Sequence, residues 1–148
     1  MNSHRHLLLD MLEQNKLTCS FAFAKINQEN STWRLNSSTA SIGFIFRHIG
    51  ETMNLFGYFF GITPTTENTT MGKTDGGIRY DVSESKALID SGFEMLEELI
   101  KTTPEEEWSA VIETPFFGSV SKMRLFSHIL FHNAHHAGQL SLTLSRGA

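Results

Sequence analysis

The stretch His128-Ile-Leu-Phe-His132-Asn-Ala-His135-His136-Ala-Gly-Gln139 decides how this chain is read. Histidines at 128, 132 and 136 are spaced four apart, and such positions share one face of an α-helix. The stretch lies inside a helical pattern over about 121–145, with Ser119 or Ser121 available as N-cap and Gly147 as the stop. At about 1.5 Å of rise per residue, His128 and His136 lie roughly 12 Å apart along the axis, too far to share one ion comfortably. Neighbouring rungs can share one, because an i,i+4 histidine pair brings two imidazoles to a common point. Every such pair includes His132. Spacing alone leaves His128 and His136 open as its partner.

Three further helical segments precede this one. The first covers about Ser3 to Gln28, with Leu8, Leu9, Met11, Leu12, Leu17, Phe21 and Ile26 as its apolar positions. A loop with a short turn near Trp33-Arg34-Leu35 follows. The second segment spans about Thr39 to Phe60, with Ser37, Ser38 and Thr39 as candidate caps and Gly61 and Pro64 as stops. Residues 61–82 are rich in Thr, Asn and Gly and read as a long crossover loop. The third helix opens at Ser83 and ends near Lys101. Thr103-Pro104-Glu105-Glu106 marks a short helical turn, and Val111 to Phe117 predicts a small hairpin with Gly118 at its turn. Four helices of about 20 residues, a long connection between the second and third, and almost no strand predict an all-α four-helix bundle in one domain spanning residues 1–148.

A third ligand has to come from another helix. His48 is the only histidine between positions 6 and 128. Phe44, Ile45, Leu55 and Phe59 stand at helical offsets on its own face, which turns His48 toward the core. An imidazole there needs a hydrogen-bond partner or a metal, since an unsatisfied buried polar group costs about 1–3 kcal/mol. Three neutral imidazoles suit zinc or nickel, with iron or copper also compatible, rather than magnesium or calcium, which prefer oxygen. Three protein ligands leave a position for water or substrate. Glu51, three residues after His48, is a candidate to orient a histidine or bind the metal, though a solvated helix face is the simpler reading. His128 and Gln139 are candidates to lie beside the ligands. The phenylalanines of the second segment read mainly as core, and Glu105-Glu106-Glu107 as a helix-start charge cluster.

Composition removes several function classes. The formal net charge of −4, without a polybasic run, argues against a nucleic-acid partner. No apolar stretch approaches the 18 or so residues that span a bilayer, and the N-terminus lacks a signal-peptide core, so no membrane partner is expected. A single cysteine, Cys19, sits among apolar residues and reads as core packing; it fits a reducing compartment, and a cytoplasmic location is the expectation.

The chain resembles the DinB/YfiT-like superfamily, which includes proteins described as damage-inducible. The matching pieces are Ser41-Ile-Gly-Phe-Ile-Phe-Arg-His48-Ile-Gly-Glu51 and the 128–139 stretch, supported by Trp33-Arg34 and Gly118-Ser119. The resemblance spans most of the chain and implies a four-helix bundle, frequent homodimers, and a metal at the positions of His48, His132 and His136. It thereby selects His136 over His128. Members of known activity are metal-dependent transferases that attack small electrophiles with low-molecular-weight thiols. The position after His136, often arginine in the family, is Ala137 here. Three readings follow: a metalloenzyme acting on a small molecule, a non-enzymatic metal-binding stress protein, and a helical dimerisation module. The sequence offers no convincing serine or cysteine nucleophile, so catalytic residues beyond the metal are unknown at this level.

Overall fold

Side-chain caps and turn-forming asparagines set the limits of the helices in this computed structural model, which describes residues 4–148. Helix α1 spans His4–Phe23, α2 Ile42–Phe56, α3 Val82–Thr102 and α4 Lys122–Arg146. The expected start of the first helix at Ser3 lies outside the described residues. That helix stops at Phe23 rather than Gln28. Asn27 and Asn30 exchange reciprocal side-chain to backbone hydrogen bonds, each 2.9 Å, and so draw the backbone into a turn. The adjoining short turn is Asn30–Thr32, just before the expected Trp33-Arg34-Leu35.

The cap of α2 is Ser41, whose hydroxyl accepts from the Phe44 N–H at 3.2 Å. Residues 37–39 are instead gathered into a turn by Asn36, whose Oδ1 accepts from the Ser38 N–H at 2.9 Å. A single tight turn, Gly57–Phe60, continues α2, and Gly61 ends it with φ of 89°. Asp81, not Ser83, caps α3 by accepting from the Glu84 N–H at 3.0 Å. The short turn after the proline forms at Glu105–Ser109. A two-stranded antiparallel hairpin follows, β1 Val111–Thr114 and β2 Gly118–Ser121, with Val111 opposite Ser121. Gly118, at φ of 65°, begins the second strand, so the hairpin reaches further than expected. Ser121 then caps α4 through the Arg124 N–H at 3.1 Å.

Helix α2 packs chiefly on α3 and α4, while α1 packs on α4 and α3. The core includes Phe46, Ile49, Met53, Leu96, Trp108, Leu125 and Phe126, all essentially buried. Burial of each such side chain is worth about 1.5–3 kcal/mol relative to exposure. Gly50 and Gly92 let α2 and α3 approach closely: a Cβ at Gly92 would lie 2.8 Å from the Cβ of Met53. Phe44 and Phe56 are buried as expected, with Phe59 and Phe60 partly so. Cys19 is also fully buried, and burial pushes its thiol up to about 11. Met11, Leu17 and Phe21, read from the sequence as apolar positions of the first helix, are exposed. Their helix faces its partners with the narrower stripe of Leu8, Leu12, Cys19 and Ala22.

The crossover between α2 and α3 is held down by two carboxylates. Asp75 accepts from the Ser41 N–H at 2.8 Å and the Gly77 N–H at 2.9 Å, and pairs with Arg34 at 3.0 Å. These hydrogen bonds and the Arg34 charge outweigh burial, which would raise its pKa, and hold the carboxyl below the usual range. The second carboxylate is Glu51. Among the described residues, no helix is long and apolar enough to cross a membrane.

Candidate metal centre

Helices α2 and α4 bring His48, His132 and His136 together. The Nε2 of His132 lies 3.0 Å from Nε2 of His48 and 3.1 Å from Nε2 of His136. The ligand atoms of all three fall within 4.8 Å of one another, the separation a single ion requires. Among the described residues no other histidine, cysteine or carboxylate joins this group.

Hydrogen bonds on the far side of two rings set which nitrogens face inward. Nδ1 of His48 lies 3.2 Å from Oγ1 of Thr70, and that hydroxyl donates to Oε2 of Glu51 at 2.7 Å. Nδ1 of His136 lies 2.6 Å from Oε1 of Gln139, an acceptor. Each imidazole therefore carries its proton on Nδ1 and presents a bare Nε2 to the centre. Nδ1 of His132 is buried without a hydrogen-bond partner among the described residues. Two bare nitrogens thus face a third imidazole at hydrogen-bonding range. This crowding of lone pairs is what a shared cation relieves.

The electrostatics keep the cluster neutral. Burial lowers His48 to about 4, with the neighbouring His136 adding to the shift and Glu51 opposing it. Burial lowers His132 to about 3, reinforced by His136, His48, His128 and His135. His136 is also lowered, mainly by burial. Neutral imidazole is the form that binds metal, so near pH 7 no proton has to be displaced from these rings.

Glu51 departs from the solvated-face reading. Its side chain is fully buried and accepts from Arg47 Nε at 2.9 Å, Thr69 Oγ1 at 2.6 Å and the Thr69 and Thr70 N–H groups at 2.9 and 3.0 Å. Burial would raise its pKa, but the hydrogen bonds from Thr69, Thr70 and Arg47 hold it below the usual range. Gln139 stands beside His136. His128 lies outside the three-histidine group but next to it: its ring is 5.8 Å from that of His132, stacks on Phe56 at 5.9 Å and meets Phe117 edge-on at 4.7 Å. Thr69, Thr70 and Phe117 were not singled out from the sequence. No helical spacing connects a loop threonine to a histidine 22 residues earlier.

Two of the three histidines, His48 and His136, border a cleft of about 680 Å³. His48, His136 and Gln139 line it on one side, with Phe44, Ile45, Leu35 and Leu142 as apolar walls and Lys73 as its one lysine. Small-molecule sites commonly run to about 300–1,000 Å³ with mostly apolar walls and a few polar groups.

The arrangement defines a mostly helical protein with a three-histidine group at a small-molecule-sized cleft. Residues 11–140 match the DinB superfamily, and the chain belongs to that family. The fold is also that of a solved structure, described as a conserved protein of locus from Enterococcus faecalis, with a TM-score of 0.71 at 12% identity over 98% of this chain and 99% of that one. No curated protein of similar sequence matches the chain.

Proposed function

We propose that the chain is a divalent-metal-dependent enzyme acting on small electrophiles, with His48, His132 and His136 as the metal ligands. The carrying observation is the convergence of three imidazoles, their ligand atoms within 4.8 Å of one another, two of which, His48 and His136, line the cleft. Zinc or nickel suits an all-imidazole set, and iron or copper is compatible with it. When bound, such an ion lowers the pKa of a coordinated thiol or water and so supplies a nucleophile near neutral pH. The residues do the rest. His48 and His136 hold bare nitrogens in place, Phe44, Ile45, Leu35 and Leu142 offer apolar contact to a ligand, and Lys73 offers a cation to an anionic part of it. The choice of a low-molecular-weight thiol as nucleophile rests on the DinB-like resemblance.

The test is thiol conjugation of an electrophile such as monobromobimane by zinc- or nickel-loaded protein, followed by mass spectrometry. A rate above background that disappears in His132→Ala supports the reading. Equal rates in both proteins overturn it. One observation favours a non-enzymatic metal-binding stress protein instead: Cys19 and Glu51 are buried, leaving no thiol or carboxylate among the described residues that line the cleft. Metal binding without turnover across a panel of thiols and electrophiles would select that alternative. We also propose a homodimer, supported by exposed Met11 and Phe21 on α1 and Phe131 and Leu142 on α4. Light scattering at about 17 kDa over a wide concentration range would refute it, since the chain itself is 16.7 kDa.

A further inference from the structure

We infer that Thr70, on the crossover loop, is a positioning residue for the metal centre, its hydroxyl joining Nδ1 of His48 to the buried carboxylate of Glu51. The inference rests on the metal reading above for its consequence, but its geometry is independent of it.

An ionised carboxylate only accepts hydrogen bonds. Glu51 is fully enclosed, and one of its five donors is the Thr70 hydroxyl at 2.7 Å. That hydroxyl proton is therefore committed to Glu51, and Oγ1 has only lone pairs left for the imidazole 3.2 Å away. His48 must donate from Nδ1, which leaves Nε2 bare and aimed at His132. Thr70 is itself 1% exposed, so water does not compete for either bond. The Thr70 N–H also bonds Glu51 at 3.0 Å, which fixes the threonine relative to the helix that carries the histidine. Helix α2 thus supplies both ends of the chain of hydrogen bonds, and the loop supplies its middle. Nδ1 of His132 has no comparable partner, so that ring lies between two that are held from behind, His48 by Thr70 and His136 by Gln139.

Thr69 provides the control. Its hydroxyl bonds the same carboxylate at 2.6 Å, but the hydrogen-bond partner of His48 Nδ1 is Thr70. A purely structural role, loop anchoring, would be shared by both threonines. A positioning role belongs to Thr70 alone.

Two measurements on the full chain decide it. The first is zinc affinity by chelator competition for wild type, Thr70→Val, Thr70→Ser and Thr69→Val. Loss of a hydrogen bond behind a metal-binding histidine typically weakens binding about 10–100-fold. Thr70→Val should show that loss, while Thr70→Ser and Thr69→Val stay within about threefold of wild type. The second is long-range ¹H–¹⁵N correlation on metal-free protein, which reports the protonated nitrogen of each imidazole. Wild-type His48 should carry its proton on Nδ1, and Thr70→Val should move it wholly or partly to Nε2. Equal losses in Thr70→Val and Thr69→Val, unchanged affinity in Thr70→Val, or a wild-type His48 protonated on Nε2 would each overturn the inference. If wild type binds no zinc, the metal reading fails, and the tautomer of His48 alone still decides the role of Thr70. If Thr70→Val does not fold, the wild-type tautomer and the Thr70→Ser affinity decide it.

Discussion

On the proposed metal site, replacing His132 by alanine should remove metal-dependent stabilisation entirely, because the imidazole nitrogens of both other histidines face His132. Its Nε2 is 3.0 Å from His48 and 3.1 Å from His136, so its loss leaves one ligand on each helix with nothing between them. A ligand that binds only the folded state stabilises it by mass action, by about 2.7 kcal/mol at a free concentration a hundredfold above Kd. For a chain of this size each kcal/mol moves Tm by about 2–4 °C, so the wild type should gain about 5–10 °C at that zinc concentration. The assay is calorimetry of untagged protein across a zinc titration. His132→Ala should show no rise at all. His48→Ala should behave similarly, since His48 is the one ligand on α2. His128→Ala should retain the full rise, because His128 packs against Phe56 and Phe117 and stands outside the ligand group. A rise in His132→Ala equal to that of wild type would refute the reasoning, as would its loss in His128→Ala but not in His136→Ala.

The metal-free protein should lose stability as pH falls from 6.5, the ordinary histidine value, toward about 4, where His48 titrates in the fold. In that window the unfolded chain binds protons that the folded chain refuses, so stability rises with pH; a urea midpoint identical at pH 7 and pH 5 would contradict this. Gly92→Ala should destabilise by about 1–3 kcal/mol, read as a lower urea midpoint, because its Cβ would press on Met53 and overpack the α2–α3 contact. Gly138→Ala, with nothing within 4 Å of its added Cβ, should instead stabilise α4 by up to about 1 kcal/mol, and a loss of stability there would indicate an occluded face.

The local pattern of residues carried most of the helical architecture and pointed to the three-histidine group. Histidine spacing placed His132 and His136 on one helix face, and the apolar positions around His48 turned it inward, because both follow from a helical repeat that depends only on neighbours in the chain. The choice of His136 over His128 was not in that spacing; it came from the family resemblance. Helix limits were less legible. Ser41 and Asp81 replaced nearby serines as caps because Asn36 took up residues 37–39 and the turn before α3 put a carboxylate at the Glu84 N–H.

Tertiary structure alone decided what stands behind the ligands. Glu51 read as a solvated residue because its enclosure depends on Thr69 and Thr70, which arrive from a loop whose path no periodicity records. The exposure of Met11, Leu17 and Phe21 was equally hidden, since helical spacing tells which residues share a face but not how much of it a partner covers. A repeat within one helix is written in the order of its residues. The meeting of a loop hydroxyl, a carboxylate and an imidazole is fixed only when separate segments pack.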